Sequence, residues 1–294
     1  MNLSDGKPTV AVIGLGYFSQ FHLTAWAARG DVNFAAVCDM DAEKLAAVEA
    51  EFGVTGFIDA EVMISAAAPD ILDIVAPPPA HAPLIRKALG EGRMIICQKP
   101  FCTSISEAEA LIAAADAAGA TVVIHENFRF QPWHREIADF LSSGRMGAVY
   151  QARFALRPGD GRGPRAYLDR QPAFQTMPRL LVHETAVHFI DTFRWLFGPV
   201  TSIYAQLRRV NPVILGEDAG YLLMSHKGGA DSLFDGNRLS DHVAENPRTT
   251  MGEMEIEGEG GLLRLDGAGQ LFFRAFGAQS EEAVPITRTV DPTT

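Results

Sequence analysis

The sequence predicts an α/β protein in two parts, and two features of its hydrophobic pattern support this. From residue 10 to residue 124, short apolar runs alternate with helix-compatible stretches. This alternation is typical of βαβ units and a parallel sheet. After about residue 127, a strongly apolar helix is followed by alternating strands with glycine pairs between them, which indicates an antiparallel sheet with helices on one face. We therefore predict two domains, residues 1–126 and residues 127–294.

The first predicted domain consists of strands that are continuously apolar, as expected when both faces of a sheet are covered. The predicted strands are residues 10–13, 34–38, 71–75, 94–97 and 121–124. The predicted helices are residues 18–29, 41–52, 82–89 and 104–118. Gly53 is expected to cap the second helix, and Gly119 ends the last one.

The second predicted domain begins with a helix over residues 132–142 and a strand over residues 148–156. A loop rich in Gly, Pro and Arg follows at residues 157–163, and the strongest helix of this half covers residues 179–197. The remaining predicted strands are residues 202–208, 220–226, 230–234, 251–257, 261–265 and 270–274. The tail after Ser280 is expected to be poorly structured.

Composition and charge exclude several classes of partner. The net charge of −11 argues against a general nucleic-acid binder, which needs a basic surface. No apolar run approaches the roughly 18 residues of a membrane span, and the N-terminus has no apolar region typical of a signal peptide. The odd number of cysteines, Cys38, Cys97 and Cys102, argues against a disulfide framework, so a reducing cytoplasm is the expected compartment.

A glycine-rich turn follows the first predicted strand and opens a helix. Gly14 permits the tight turn, Gly16 lets the backbone approach a pyrophosphate, and the small Ser19 stands where Gly or Ala is usual. The alternative is a glycine turn that simply precedes a helix. Asp39 at the end of the second strand favours a nucleotide, because a carboxylate there accepts hydrogen bonds from both ribose hydroxyls. It would repel the 2′-phosphate of NADP, so NAD is the predicted cofactor.

Two regions carry candidate chemistry. Lys99 follows the strand over residues 94–97, where ligands of open α/β sheets bind, and its ammonium can stabilise a developing oxyanion. The following Pro100 permits a cis peptide bond. Glu184, His188 and Asp191 have i, i+4 and i+7 spacing on one helix face, which suits an acid/base pair. The alternatives are an ordinary surface lysine and a solvated polar face.

A metal site is not predicted. His183 and His188 are five residues apart, whereas two zinc-binding histidines on a helix need a spacing of four.

Further candidates flank these residues, and for the loop after residue 156 a mobile surface loop is an equal alternative. The other predicted cofactor contacts are Tyr17, Phe18, Pro77, His81, Gln98 and Lys99. The predicted substrate contacts are Lys99, Asn127, Arg129, Arg157, Asp160, Arg165, Tyr167, Asp169, Arg170, His183, Glu184 and His188. Arg129 has a purely structural contact as its alternative.

Together these positions resemble the Gfo/Idh/MocA oxidoreductases over nearly the whole chain. The matching stretches are AVIGLGYFSQFH, DILDIVAPPPAH, ICQKPF, ENFRFQPWHREI, HETAVHFIDTFRWLFG and GEDAG. The resemblance implies an N-terminal Rossmann domain and a C-terminal α+β domain with a large open, mostly antiparallel sheet. That sheet commonly forms a homodimer or homotetramer contact.

The resemblance also implies roles for single residues. Lys99 corresponds to the catalytic lysine of a Glu-Lys-Pro motif, His188 to the general base, and Glu184 to a helper aspartate. Two residues depart from the family: Gln98 cannot carry the charge of the usual Glu, and Glu184 is one methylene longer than Asp. The stretches HENFRFQPWHREI and RPGDGRGPRAYLDRQPAF further resemble a subgroup that oxidises a branched pentose.

The predicted reaction is therefore NAD-dependent oxidation of a sugar or polyol hydroxyl, with the anomeric hydroxyl favoured. His188 removes the proton, Lys99 polarises the oxygen, and Glu184 orients His188 or relays its proton. Two alternatives stay open: a glycoside hydrolase that oxidises its substrate transiently with retained NAD, and a non-catalytic NAD-binding regulator.

Overall fold

The computed structural model describes residues 6–288 of the chain, which form two compact units that meet in sequence between Glu126 and Asn127. The first unit is a parallel sheet with the strand order β3-β2-β1-β4-β5-β6. Its strands are β1 (Thr9–Ile13), β2 (Asn33–Cys38), β3 (Thr55–Phe57), β4 (Ile71–Ile74), β5 (Met94–Gln98) and β6 (Thr121–His125). Its helices are α1 (Ser19–Ala28), α2 (Ala42–Phe52), α3 (Ala60–Ala67), α4 (Pro78–Ala88) and α5 (Ile105–Ala118).

Local sequence signals explain most of these elements. Every residue of β1 is buried, as predicted for a strand covered on both faces. The Asp41 side chain accepts hydrogen bonds from the first turn of α2, and Ser104 does the same for α5. Gly53 and Gly119 end these two helices with φ values of 69° and 65°, a conformation that glycine adopts without strain.

Two predictions for this unit were incomplete. β3 and α3 were missed, because a strand of 3 residues and a helix of 8 residues are too short for a clear periodicity. The helix predicted from residue 82 begins earlier, at Pro78. The fixed φ of proline suits the first turn of a helix, so Pro78 and Pro79 start α4.

The second unit is built on a sheet with the strand order β14-β13-β12-β11-β7-β10-β9-β8. Its pairings are antiparallel except for β7 with β10, which is parallel. Its strands are β7 (Val149–Leu156), β8 (Val200–Arg208), β9 (Ala219–His226), β10 (Asp231–Asn237), β11 (Gly252–Gly258), β12 (Gly261–Leu265), β13 (Leu271–Ala275) and β14 (Glu282–Val284). Its helices are α6 (Pro132–Ser142) and α7 (Val187–Phe197).

The two helices cover one face of this sheet. Phe189 and Phe193 of α7 pack in one apolar core with Phe154 of β7 and Phe234 of β10, and all four are fully buried. Tyr221 of β9 lies on the opposite side of its strand from the buried residues and is 42% exposed. These observations confirm the predicted fold class of a parallel-sheet domain followed by a domain with a large, mostly antiparallel sheet.

The expectation of a poorly structured tail after Ser280 is wrong for the described residues. Glu282 to Val284 pair with β13, and the Arg288 guanidinium donates to the Asp139 carboxylate on α6. A strand of 3 residues carries too little alternation to be recognised from the sequence. The part of this prediction that concerns residues 289–294 lies outside the described residues.

The buried thiol of Cys97 makes the stability of the fold depend on pH. Burial raises the pKa of Cys97 from its ordinary 9.0 to about 12. Because the folded chain then holds the thiol proton more tightly than the unfolded chain, this stabilisation is complete below pH 9 and is lost as pH rises towards 12.

We therefore expect the free energy of unfolding to fall between these pH values more steeply in the wild type than in Cys97→Ala, by about 1 kcal/mol per pH unit. Urea denaturation at a series of pH values measures both slopes. The comparison of slopes removes the constant cost of the cavity in the variant, and equal slopes would contradict the prediction.

Candidate active site

The glycine turn joins the end of β1 to the start of α1, beside the end of β4. Gly14 has a φ of +97°, and a Cβ on it would lie 2.6 Å from the carbonyl oxygen of Val75, so only glycine fits. A Cβ on Gly16 would meet no protein atom within 4 Å, which leaves open space beside the turn. The Ser19 hydroxyl donates to the Gly16 carbonyl at 2.7 Å, and its side chain is buried. The small Ser19 therefore fits at the position where the dinucleotide motif usually has Gly or Ala.

The turn has the features that a bound dinucleotide needs. The first turn of α1 has no side-chain cap, so its N–H groups are not taken up by a capping side chain. The Asp39 carboxylate, which follows β2, accepts from the Leu15 N–H at 2.7 Å and from the Asp41 N–H at 3.0 Å. Each of its oxygens has a second lone pair for a ribose hydroxyl. Tyr17 and Phe18 are exposed beside the turn.

His81 is placed differently from its predicted role. The ring is fully buried, with Nε2 2.7 Å from the Ala76 carbonyl oxygen and Nδ1 3.0 Å from that of Pro100. It therefore links the segment after β4 to the segment after β5, and this argues against direct contact with a cofactor. The exposed Pro77 and the half-buried Lys99 lie on these two segments, and the Lys99–Pro100 peptide bond is cis.

Gln98 belongs to a buried polar network that the sequence did not reveal. Its side-chain amide lies 2.7 Å from Nε2 of His22 and 2.9 Å from Nδ1 of His125. An amide NH₂ can only donate, so both rings accept there. His22 therefore carries its proton on Nδ1, which donates to Asp73 at 2.7 Å.

The surroundings of His125 in this network favour its neutral form. Burial, and next the neighbouring His22, lower the pKa of His125. Gln98 thus connects the end of β5, next to Lys99, to helix α1 and strand β6 through an uncharged amide.

In the second unit, the predicted long helix is irregular at its start. Residues Leu181–Ala186 form a π-helical turn, and the Val187 N–H donates to the Val182 carbonyl five residues back. A continuous α-helix over residues 179–197 was therefore wrong for this part, because apolar spacing alone does not separate the two windings. π-Helical turns frequently mark functional sites. This one carries His183 and Glu184.

Glu184 and His188 are each held by neighbours in the second unit. The Thr185 hydroxyl donates to Glu184 Oε2 at 2.6 Å, and Arg238 Nη1 lies 3.5 Å from the same oxygen. His188 is 7% exposed and stacks on Phe128, with ring centroids 3.9 Å apart and an angle of 6° between the rings. Both orientations are therefore fixed within this unit.

The remaining polar residue of the predicted helix face has another partner. Asp191 accepts from Arg129, with Nε 2.6 Å from Oδ2, so this pair ties the segment Phe128–Phe130 to α7. This contact favours the structural alternative for Arg129. Asn127 and His183 are half-buried.

The loop candidates also divide by their contacts. Arg165 is exposed and pairs with Asp169 four residues on, a contact typical of a protein surface. Arg157 donates to Oδ2 of Asp235 at 2.7 Å. Asp160 and Tyr167 both contact Arg238, at the base of the loop.

Sequence reasoning missed Arg238 entirely. Arg238 stands in no recognisable motif, because a single arginine after a strand is common and its partners are far away in the sequence.

Comparison with known proteins identifies the family. The model of an oxidoreductase family with an NAD-binding Rossmann fold, GFO/IDH/MocA, matches residues 9–126, and the model of the GFO/IDH/MocA C-terminal domain matches residues 134–264. The chain belongs to this family. The predicted resemblance and the predicted NAD-binding Rossmann fold are thus confirmed.

Two curated relatives within the GFO/IDH/MocA family are named D-apiose dehydrogenase. The one from Paraburkholderia graminis is 36% identical over 256 residues, which cover 87% of this chain and 66% of that protein. The one from Rhizobium rhizogenes is 31% identical over 266 residues, which cover 90% of this chain and 74% of that protein. This chain thus spans about two thirds to three quarters of their length.

A solved structure has the same fold. It is an oxidoreductase from Agrobacterium radiobacter in complex with NAD+, L-tartaric acid and magnesium. Its TM-score is 0.87 at 27% identity, and the match covers 97% of this chain and 81% of that chain.

Two other kinds of feature are absent from residues 6–288. No helix there is long and apolar enough to cross a membrane. No group of three or more His, Cys, Asp or Glu side chains there could hold a metal ion.

Proposed function

We propose that this protein is an NAD-dependent dehydrogenase that oxidises a hydroxyl group of a sugar or polyol. The observation that carries the proposal is that Glu184 and His188, four residues apart, are each held in one orientation by neighbouring side chains. The chain that carries them belongs to an NAD-binding oxidoreductase family. The two relatives named D-apiose dehydrogenase support a branched pentose, and we propose D-apiose, oxidised at the anomeric carbon, as the first substrate to test.

The residues have complementary roles in this proposal. His188 takes the proton of the substrate hydroxyl as general base, and Lys99 donates a hydrogen bond to the same oxygen as negative charge develops on it. Glu184 orients His188 or receives its proton. NAD, when bound, accepts the hydride from the carbon, so the substrate loses two electrons and two hydrogens in all. Gly14, Gly16 and the uncapped start of α1 would hold the pyrophosphate, and Asp39 the adenosine ribose.

Asp39 supports a preference for NAD over NADP. In Asp39→Asn the side chain loses its charge, so we expect KM for NAD to rise about tenfold or more, while KM for NADP stays constant or falls. Steady-state kinetics with both cofactors measures the ratio. Asp59→Asn is a matched control, because Asp59 caps α3 in the same way that Asp41 caps α2 and asparagine caps equally well. An unchanged ratio of the two KM values in Asp39→Asn would contradict the role of Asp39.

The exposed face of the second sheet supports a homo-oligomer. Tyr150, Tyr221 and Leu223 are 57%, 42% and 45% exposed on strands whose alternate residues are buried. We propose a homodimer or homotetramer through this face. Light scattering with the purified protein determines the mass, and a monomer at micromolar concentration would refute the oligomer.

The decisive experiment mixes purified protein with NAD and a panel of sugars and polyols that includes D-apiose. Sugar-dependent growth of NADH absorbance is the expected result. Cleavage of a glycoside without net NADH would indicate a hydrolase instead. Binding of NAD with no turnover of any compound would indicate a regulator.

A further inference from the structure

Arg238, directly after β10, is a fully buried cation at the centre of the second unit. Its side chain is 1% exposed. Nη2 donates to Asp160 Oδ2 at 2.9 Å, Nε donates to the Tyr167 hydroxyl at 2.8 Å, and Nη1 donates to the Thr185 hydroxyl. Glu184 Oε2 lies 3.5 Å from Nη1. One guanidinium therefore contacts both the loop that carries Asp160 and Tyr167 and the turn that carries Glu184.

Nearby carboxylates and a tyrosine stabilise the positive charge of Arg238. Burial alone would lower its pKa, but Asp160, Tyr167 and Glu184 outweigh this and raise it, so the guanidinium stays charged. The guanidinium carbon also lies 5.1 Å and 5.4 Å from the ring centroids of Tyr167 and Phe174. A cation this deeply buried is stable only with such partners, and its planar fork of donors holds them in fixed relative positions.

The loop is shaped to fit this cation. A Cβ on Gly161 would lie 2.9 Å from the Tyr167 hydroxyl and 3.1 Å from Arg238, so glycine is needed there. Tyr167 has a φ of +69°, which a non-glycine residue adopts only when its surroundings enforce it. The buried Asn211 side chain also donates to the carbonyls of Gly161 and Gly163 at 2.8 Å and 2.9 Å. The loop is thus fixed to the body of the unit from two sides.

We propose that Arg238 is a positioning residue for the dehydrogenase reaction, which couples the loop over residues 157–175 to Glu184. This inference rests on the proposed function. The Asp160 carboxylate contacts the guanidinium and the Tyr167 hydroxyl, and Arg170 Nη2 of the same loop lies 3.5 Å from its Oδ2, so Asp160 joins the loop to Arg238. A change in the loop then alters turnover through the orientation of Glu184, in addition to any change in sugar binding.

The test is a double-mutant cycle. Lysine at position 238 keeps the charge but loses the fork, so Arg238→Lys is expected to lower kcat by about 10- to 100-fold, with KM for NAD within about twofold. In a Glu184→Gln background, where the carboxylate is already absent, Arg238→Lys is expected to lower kcat by less than about threefold. Asp160→Asn is the second, milder variant and is expected to follow the same pattern with a smaller loss.

The control is Arg264→Lys, since Arg264 pairs with Glu281 and lies over Phe272 but is partly exposed and outside this cluster. It is expected to retain wild-type kcat. The coupling is refuted if the fold-loss of kcat in the double variant equals the product of the losses in Arg238→Lys and Glu184→Gln. It is also refuted if Asp160→Asn changes only KM for the sugar. If Arg238→Lys does not fold, Asp160→Asn in the same cycle decides. An inactive wild type refutes the proposed function and the positioning role together, whereas an active wild type with multiplicative losses refutes Arg238 alone.

Discussion

Replacing His188 by alanine is expected to lower kcat for sugar oxidation by at least about 100-fold. A hydroxyl proton is lost in the reaction, and the alanine variant lacks the imidazole that is proposed to accept it directly. The ring is held in one orientation, because it stacks on Phe128 with the ring centroids 3.9 Å apart. Steady-state kinetics at saturating NAD measures the loss. We expect the affinity for NAD, measured by calorimetry, to change little, because Gly14, Gly16 and Asp39, which are proposed to hold the cofactor, are unchanged.

The matched control is a second buried histidine of the same unit. His226 is 4% exposed and contacts Ser232 at 2.8 Å and the Gly198 carbonyl oxygen at 2.8 Å, so its role is structural. His226→Asn is expected to lower the melting temperature and to leave kcat close to the wild-type value. His188→Asn is expected to lower kcat strongly and to leave the melting temperature close to the wild-type value. If His188→Ala retains a tenth of kcat or more, His188 is not the base.

Replacing Lys99 by methionine is expected to lower kcat/KM by about 100- to 1,000-fold. Methionine preserves most of the apolar length of the side chain but removes the donor that stabilises the developing oxyanion. Lys99→Arg is expected to have a kcat/KM nearly as low as that of Lys99→Met, because a planar guanidinium does not place a donor where the ammonium does. Measuring both variants separates loss of charge from loss of geometry.

A surface lysine provides the control for this prediction. Lys87 on α4 is 42% exposed and pairs with Glu61 at 3.4 Å. We expect Lys87→Met to keep wild-type kinetics, since exposed ion pairs contribute little. Full activity of Lys99→Met with D-apiose, or full rescue by arginine, would contradict the role of Lys99 as an oxyanion donor.

Features that depend on neighbouring residues could be predicted from the sequence. The glycine turn and the helix end at Gly53 each follow from residues a few positions apart, and the structure contains both. The parallel pairing of the first sheet also follows, because the predicted strands alternate with helices, whereas its full strand order does not, because β3 was missed. These signals are local, so one sequence is enough to read them.

Features that depend on distant residues could not be predicted. Arg238 meets Asp160 across 78 positions of the chain and Thr185 across 53. The π-helical turn before α7 was missed because its apolar residues also fit an α-helix. Of the loop candidates, the sequence could not separate Arg165, whose partner Asp169 lies on the surface, from Asp160. Burial decides between them, and burial is a property of the fold.

The buried amide of Gln98 has a consequence for how this chain can change over evolutionary time. It faces the lone pairs of His22 and His125 at 2.7 Å and 2.9 Å. A Gln98→Glu substitution would put a carboxylate against these two acceptors, so a ring would have to change tautomer, or a ring or the carboxylate would have to take up a proton in a buried site. Residues 22, 98 and 125 therefore form a set in which each constrains the others. Exchanging Gln98 for glutamate alone would therefore disturb all three residues, even though it changes only one functional group.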